Sequence, residues 1–131
     1  MDGVVHFELP ADDMKRSQKF YHELFGWNMV EMPEEMHYTV INTAKTDERG
    51  MILEGGKING GIMDKGMNKD HGGGSVVIVV DVKNIDASIK KAQALGAKVV
   101  MEKMEIPNVG IYARIRDLDG NILGMMQSKR A

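Results

Sequence analysis

The chain states one structural sentence twice, and that repetition constrains its fold more than any single motif. A short apolar run, Val4 to Leu9, is followed by an amphipathic stretch ending at Phe25-Gly26. A second run, Val76 to Val82, is followed by another amphipathic stretch ending at Leu95-Gly96. Each half then closes on a glycine within an apolar segment, Gly61 in Asn59 to Met63 and Gly124 in Ile122 to Met126. The glycines after the helices are 96 − 26 = 70 positions apart, and the closing glycines 124 − 61 = 63 apart. The difference of seven places a longer loop in the first half, within Thr43 to Lys57. A repeated unit of this kind implies two similar modules, with a ligand cavity expected near their shared axis.

Local patterns give the same unit. Val5, Phe7 and Leu9 alternate with His6 and Glu8, the period of a strand with one face in the core. Pro10 is expected to stop that strand, and Asp12 or Asp13 to cap a helix with Met14, Ser17, Phe20, Tyr21, Leu24 and Phe25 on its inner face. Strands are expected over Trp27 to Val30, Met36 to Thr43 and Ile58 to Met63, with a turn around Pro33-Glu34-Glu35. Asp64 to Gly74, rich in glycine and polar residues, reads as a linker with a solvated His71. The second half repeats the order: a strand over Val76 to Val82, a helix over Ile85 to Leu95 with Ile85, Ile89, Ala92 and Leu95 inward, then strands over Lys98 to Met101, Gly110 to Arg116 and Asn121 to Gln127. Asp119-Gly120-Asn121 marks the last hairpin. The expected fold is α+β: paired βαβββ modules forming a U-shaped mixed sheet with helices on the convex face. It is a single domain over 1–131, with module one 1–63, linker 64–74 and module two 75–131.

Composition narrows the function. A net charge of −2 supplies no basic field for nucleic acid, and no apolar run approaches the length of a membrane span. The absence of cysteine removes thiolate chemistry, disulfides and sulfur-ligated zinc. The chain enters a strand directly, without a secretory pattern, so a cytoplasmic setting is expected. His6 and Glu8 share the strand face turned away from the helix, where a cavity would be lined.

Four segments resemble the vicinal oxygen chelate superfamily, which includes glyoxalase I, bleomycin-resistance proteins and extradiol dioxygenases. They are Val4-Val5-His6-Phe7-Glu8, Lys19-Phe20-Tyr21-His22-Glu23-Leu24-Phe25-Gly26-Trp27, Gly60-Gly61-Ile62 and Asp117-Leu118-Asp119-Gly120-Asn121. The resemblance implies homodimerisation and, in metal-dependent members, up to four histidine and glutamate ligands, one from the first and one from the last strand of each module. Those positions fall at His6, Gly61, Ser75 (or Val76 one residue on) and Gly124. One ligand in four remains, where a transition-metal site needs about three. The expectation is a small-molecule-binding protein with no cofactor, its ligand met by His6, Glu8, Tyr38, Asn42, Tyr112, Arg114 and Met125. Glu8 is the candidate general base, since a partly buried carboxylate can have a raised pKa. One alternative is a lyase or isomerase of the lactoylglutathione lyase type, with a divalent metal on His6 and a reduced ligand set. Another is an antibiotic-sequestering resistance protein.

Overall fold

The computed structural model describes residues 1–72 and 74–129. Module one contains β1 (Val4–Ala11), α1 (Met14–Phe25), β2 (Asn28–Glu31), β3 (Tyr38–Asn42) and β4 (Asn59–Asp64). Module two contains β5 (Val77–Asp81), α2 (Ile85–Ala94), β6 (Lys98–Ile106), β7 (Gly110–Arg116) and β8 (Ile122–Ser128). The βαβββ order occurs twice, as the repeat requires.

In module one β1 pairs in parallel with β4, β4 is antiparallel to β3, and β3 is antiparallel to β2. The register sets Glu8 opposite Gly61 and Val40 opposite Gly61 from the other side. Pro10 does not end β1: the strand continues to Ala11, whose carbonyl accepts from the Lys65 amide at 3.0 Å. Proline costs a strand only its own N–H, and its fixed φ is compatible with extended backbone. Asp13 caps α1, accepting from the Arg16 amide at 3.0 Å, and Gly26 ends the helix with φ 73°, where a left-handed residue is needed. The helix-side core joins Ala11, Ile41 and Ile62 to Phe7, Leu9, Met14, Tyr21, Trp27 and Met29. Phe20, Leu24 and Phe25, expected on the inner face, are more than half exposed. Tyr21 already fills the strip against the sheet, and Phe25 instead packs on Trp27 at 5.0 Å between ring centroids.

Module two repeats this topology. β5 is parallel to β8, β8 antiparallel to β7, and β7 antiparallel to β6. Its helix-side core is Val82, Ile85, Ala113 and Met125, with Val80, Ile89, Ile111 and Ile115 against it. Asn84 caps α2. Leu95, expected inward, ends the helix in solvent at 68% exposure. The β7–β8 turn is closed by Asp117, which accepts from the Asp119 and Asn121 amides at 2.9 and 2.8 Å. The matching connection in module one, between Asn42 and Asn59, is the longer loop that the repeat arithmetic located.

The segment expected to be a loose linker is held down. Asp64 Oδ1 accepts from the Met67 amide, and Asn68 donates to the Asp64 carbonyl. His71 is half-buried rather than solvated, its Nδ1 within 2.9 Å of the Val100 carbonyl oxygen. The compact body of module one accordingly runs from His6 to Lys69 and takes in residues 74–76. Asp70–Gly72 and Met1–Val5 belong with module two, where the Gly3 carbonyl accepts from the Asp81 amide at 2.9 Å. No helix among the described residues is long and apolar enough to cross a membrane.

Candidate functional site

Strand alternation sorts module one into two faces. Phe7, Leu9 and Ala11 join the helix-side core, so His6 and Glu8 face the other way. β3 gives Tyr38, Val40 and Asn42 to that second face, because Ile41 between them is in the core. β4 adds Gly61 and Met63.

His6 and Tyr38 meet there. His6 Nε2 lies 2.7 Å from the Tyr38 hydroxyl oxygen, with the ring planes 16° apart. Burial holds the imidazole pKa below its ordinary value, and the negative charge of Glu8 two residues on opposes this only in part. The imidazole is therefore neutral at pH 7, and Nε2 accepts from the phenol or donates to it according to tautomer. Glu8 is 6% exposed. Among the described residues no buried side-chain nitrogen or oxygen lacks a hydrogen-bond partner, so the cost of burying this carboxylate is met locally.

The phenol of Tyr38 explains Gly61. A Cβ at Gly61 would fall inside that ring, on its Oη, Cζ and Cε1 atoms. Tyr38 lies two residues before Val40, the partner of Gly61, which makes it a diagonal neighbour. Module two repeats the relationship. Tyr112 lies two residues before Arg114, the partner of Gly124, and a Cβ at Gly124 would sit 2.5 Å from the Tyr112 hydroxyl oxygen.

The first strands differ. Glu8 pairs with Gly61 and Val79 with Gly124, so the counterpart of His6, two residues earlier, is Val77. This corrects the expected position at Ser75 or Val76 by one or two residues. Val77 and Val79 are both fully buried hydrocarbon. The polar groups of module two come from β7: Arg114, 2% exposed, donates from Nε to the Tyr112 hydroxyl and from Nη1 to the His71 carbonyl, each at 2.9 Å. Met125 is not on this face. It pairs with Ala113 and packs under α2, because its parity is opposite to that of Gly124. Asn42 has the parity expected of it, at the far end of β3.

The four-ligand set implied by the family resemblance does not fit these residues. His6 is a donor, Val77 is not, and both closing positions are glycines whose space a tyrosine fills. Among the described residues no three His, Cys, Asp or Glu side chains are grouped to hold an ion.

Module one also has two cavities, the smaller of which reaches Tyr38. The larger, 550 Å³, is lined by Phe7, Leu9, Trp27, Thr43, Ile58 and Val76, with Gly56 and Lys57 at its edge. The other, 420 Å³, lies beside α1 and is lined by Gln18, Glu31, Met32, His37 and Thr39 among others. In it, Gln18 donates to the buried Thr39 hydroxyl at 2.8 Å, and Lys15 pairs with Glu31. Neither follows from periodicity; the extra length between β3 and β4 was the available signal for the first.

Residues 3–125 match the model of the glyoxalase/bleomycin resistance protein/dioxygenase superfamily. The chain belongs to that superfamily. Its fold is shared with a glyoxalase/bleomycin resistance protein/dioxygenase superfamily member from Vibrio splendidus 12B01, at TM-score 0.64 and 16% identity over 98% of this chain and all of the other. Methylmalonyl-CoA epimerase from Mycobacterium tuberculosis superimposes at TM-score 0.65 and 15% identity, over 98% of this chain and 89% of that one. The Streptomyces coelicolor methylmalonyl-CoA epimerase in complex with 2-nitronate-propionyl-CoA gives TM-score 0.66 and 16% identity, over 97% of each chain. No curated protein matches the chain in sequence.

Proposed function

We propose that this superfamily member binds a small, partly apolar molecule on the face of module one that carries His6, Glu8, Tyr38 and Asn42, and that it does so without a resident divalent ion. The supporting observation is the glycine beneath a tyrosine at both last-strand ligand positions. A carboxylate there would need both a side chain on the glycine and the space the phenol occupies. One histidine and one nearby carboxylate fall short of the three or so protein ligands a transition-metal site needs. What His6 and Tyr38 offer instead is a neutral imidazole–phenol pair, suited to hydrogen-bonding a carbonyl or hydroxyl group whose carbon skeleton rests on apolar neighbours such as Val40.

The test takes the full chain through zinc, nickel, manganese and iron(II), removes free ion, and measures retained metal and melting temperature. The expected outcome is metal well below one ion per chain and no stabilisation. A panel of aldehydes, 2-oxo acids and acyl thioesters then follows by thermal shift, with the responses of Tyr38→Phe and His6→Ala reduced. Stoichiometric, stabilising metal lost in His6→Ala would overturn the proposal in favour of a metal-dependent lyase or isomerase with a reduced ligand set.

A further inference from the structure

The 550 Å³ cavity of module one has no part in the His6 face, because Phe7 and Leu9, which line it, have the opposite strand parity. Its volume is within the range of about 300–1,000 Å³ typical of small-molecule sites. Its rim is made by the β3–β4 loop, which is much longer than the matching β7–β8 turn of module two. Thr43 opens the β3–β4 loop, and Gly56, Lys57 and Ile58 close it; all four line the cavity.

That loop is built, not slack. Thr43 donates its hydroxyl to the Ile58 carbonyl at 2.6 Å, the Asn59 side chain accepts from the Thr43 amide at 2.9 Å, and Thr46 bridges to Ile52. Its outer part nonetheless leaves Met51 and Leu53 more than 60% exposed. The polar lining groups are already engaged: Thr43 with Ile58, and Lys57 with Glu54 at 2.8 Å. What the cavity presents to an occupant is therefore chiefly ring and aliphatic surface from Phe7, Leu9, Trp27, Ile58 and Val76, with Lys57, paired to Glu54, as the charged residue at its edge.

We infer that this cavity is a second ligand site, specific for a neutral aromatic molecule of one or two rings, framed by the β3–β4 loop. Trp27 is held by Phe7, Tyr21 and Phe25, at 5.7, 5.4 and 5.0 Å between ring centroids, and an aromatic ligand extends this cluster where Trp27 and Phe7 line the cavity. A charged ligand would lose hydration against hydrocarbon with nothing to replace it.

Trp27 is the sole tryptophan of the chain, so it reports on the site directly. The full chain is titrated with the neutral probe N-phenyl-1-naphthylamine while Trp27 is excited. The expected result is saturable one-to-one binding, with Trp27 emission falling as probe emission rises and acrylamide quenching of Trp27 reduced by the probe. Val76→Asp, at a position 56% exposed and so tolerant of substitution, weakens binding about tenfold or more, because it sets a carboxylate against apolar surface. Leu118→Asp, an exposed leucine of module two, leaves binding unchanged. The inference is overturned if wild type shows no saturation, or if Leu118→Asp weakens binding as much as Val76→Asp. It is equally overturned if Trp27 is shielded by self-association on concentration without probe, since a second copy of the chain then covers the cavity.

Discussion

Tyr38 occupies the volume that any side chain at Gly61 would need, and Tyr112 does the same at Gly124. Gly61→Ala therefore overpacks a fully buried position, and the expected cost is about 1–3 kcal/mol in urea denaturation. Tyr38→Ala recovers a large part of that loss in the double variant, because the space reappears. Tyr38→Phe recovers little, since the ring carbons Cζ and Cε1 also collide with the new Cβ. Additive losses in the Tyr38→Ala, Gly61→Ala pair would show that the two positions are not sterically coupled.

Arg114 ties β7 to the turn that carries His71. It is 2% exposed and supplies the Tyr112 hydroxyl and the His71 carbonyl with donors. Arg114→Met keeps the bulk but removes both of these donated hydrogen bonds, at an expected cost of about 1–3 kcal/mol. Amide exchange over Asp70–Gly72 should accelerate in this variant, while the α1 amides keep their protection. Unchanged exchange at His71 would mean the guanidinium is not what fixes this turn.

The cap of α1 offers a smaller and independent measurement. Asp13 accepts from the Arg16 amide, satisfying one of the donors a helix start leaves open. Asp13→Ala should cost about 1 kcal/mol, and Asp13→Ser much less. A melt of Asp13→Ala indistinguishable from wild type would place the cap elsewhere, with Asp12 the other candidate.

The repeat, the N-cap of α1, the strand parity of His6 and Glu8, and the longer β3–β4 loop were legible in the sequence, because each follows from period, chain direction or length. What was not legible depended on pairing. The counterpart of His6 is Val77 rather than Ser75 or Val76, since register is set by which residues of β5 and β8 hydrogen-bond, not by distance along the chain. Met125, expected on the ligand face, lies one residue from Gly124, and a single step along a strand reverses the face. His71 read as solvated because its anchors, Val100 and Arg114, are remote in sequence. The reason for two closing glycines was hidden for the same cause: a tyrosine on the adjacent strand, two residues off the pair, is invisible to a scan along one strand.

The last prediction concerns acid. Burial depresses the pKa of His6 below the 6.5 of the free side chain, so the unfolded chain binds a proton there more readily than the folded one. Stability from this group is complete above about pH 6.5, the unfolded value, and declines as pH falls through the lower folded value. Protonating the imidazole also ends its capacity to accept from the Tyr38 hydroxyl, although it can still donate. Wild-type melting temperature should therefore drop more steeply below pH 6.5 than that of His6→Gln, whose amide can pair with the phenol but does not titrate. Above pH 7.5 the two curves should run parallel. Glu8 carries the charge that opposes the shift, so Glu8→Gln should lower the His6 pKa further in an NMR titration of the imidazole. A His6 pKa that rises in Glu8→Gln would mean the carboxylate does not act on the imidazole as a negative charge.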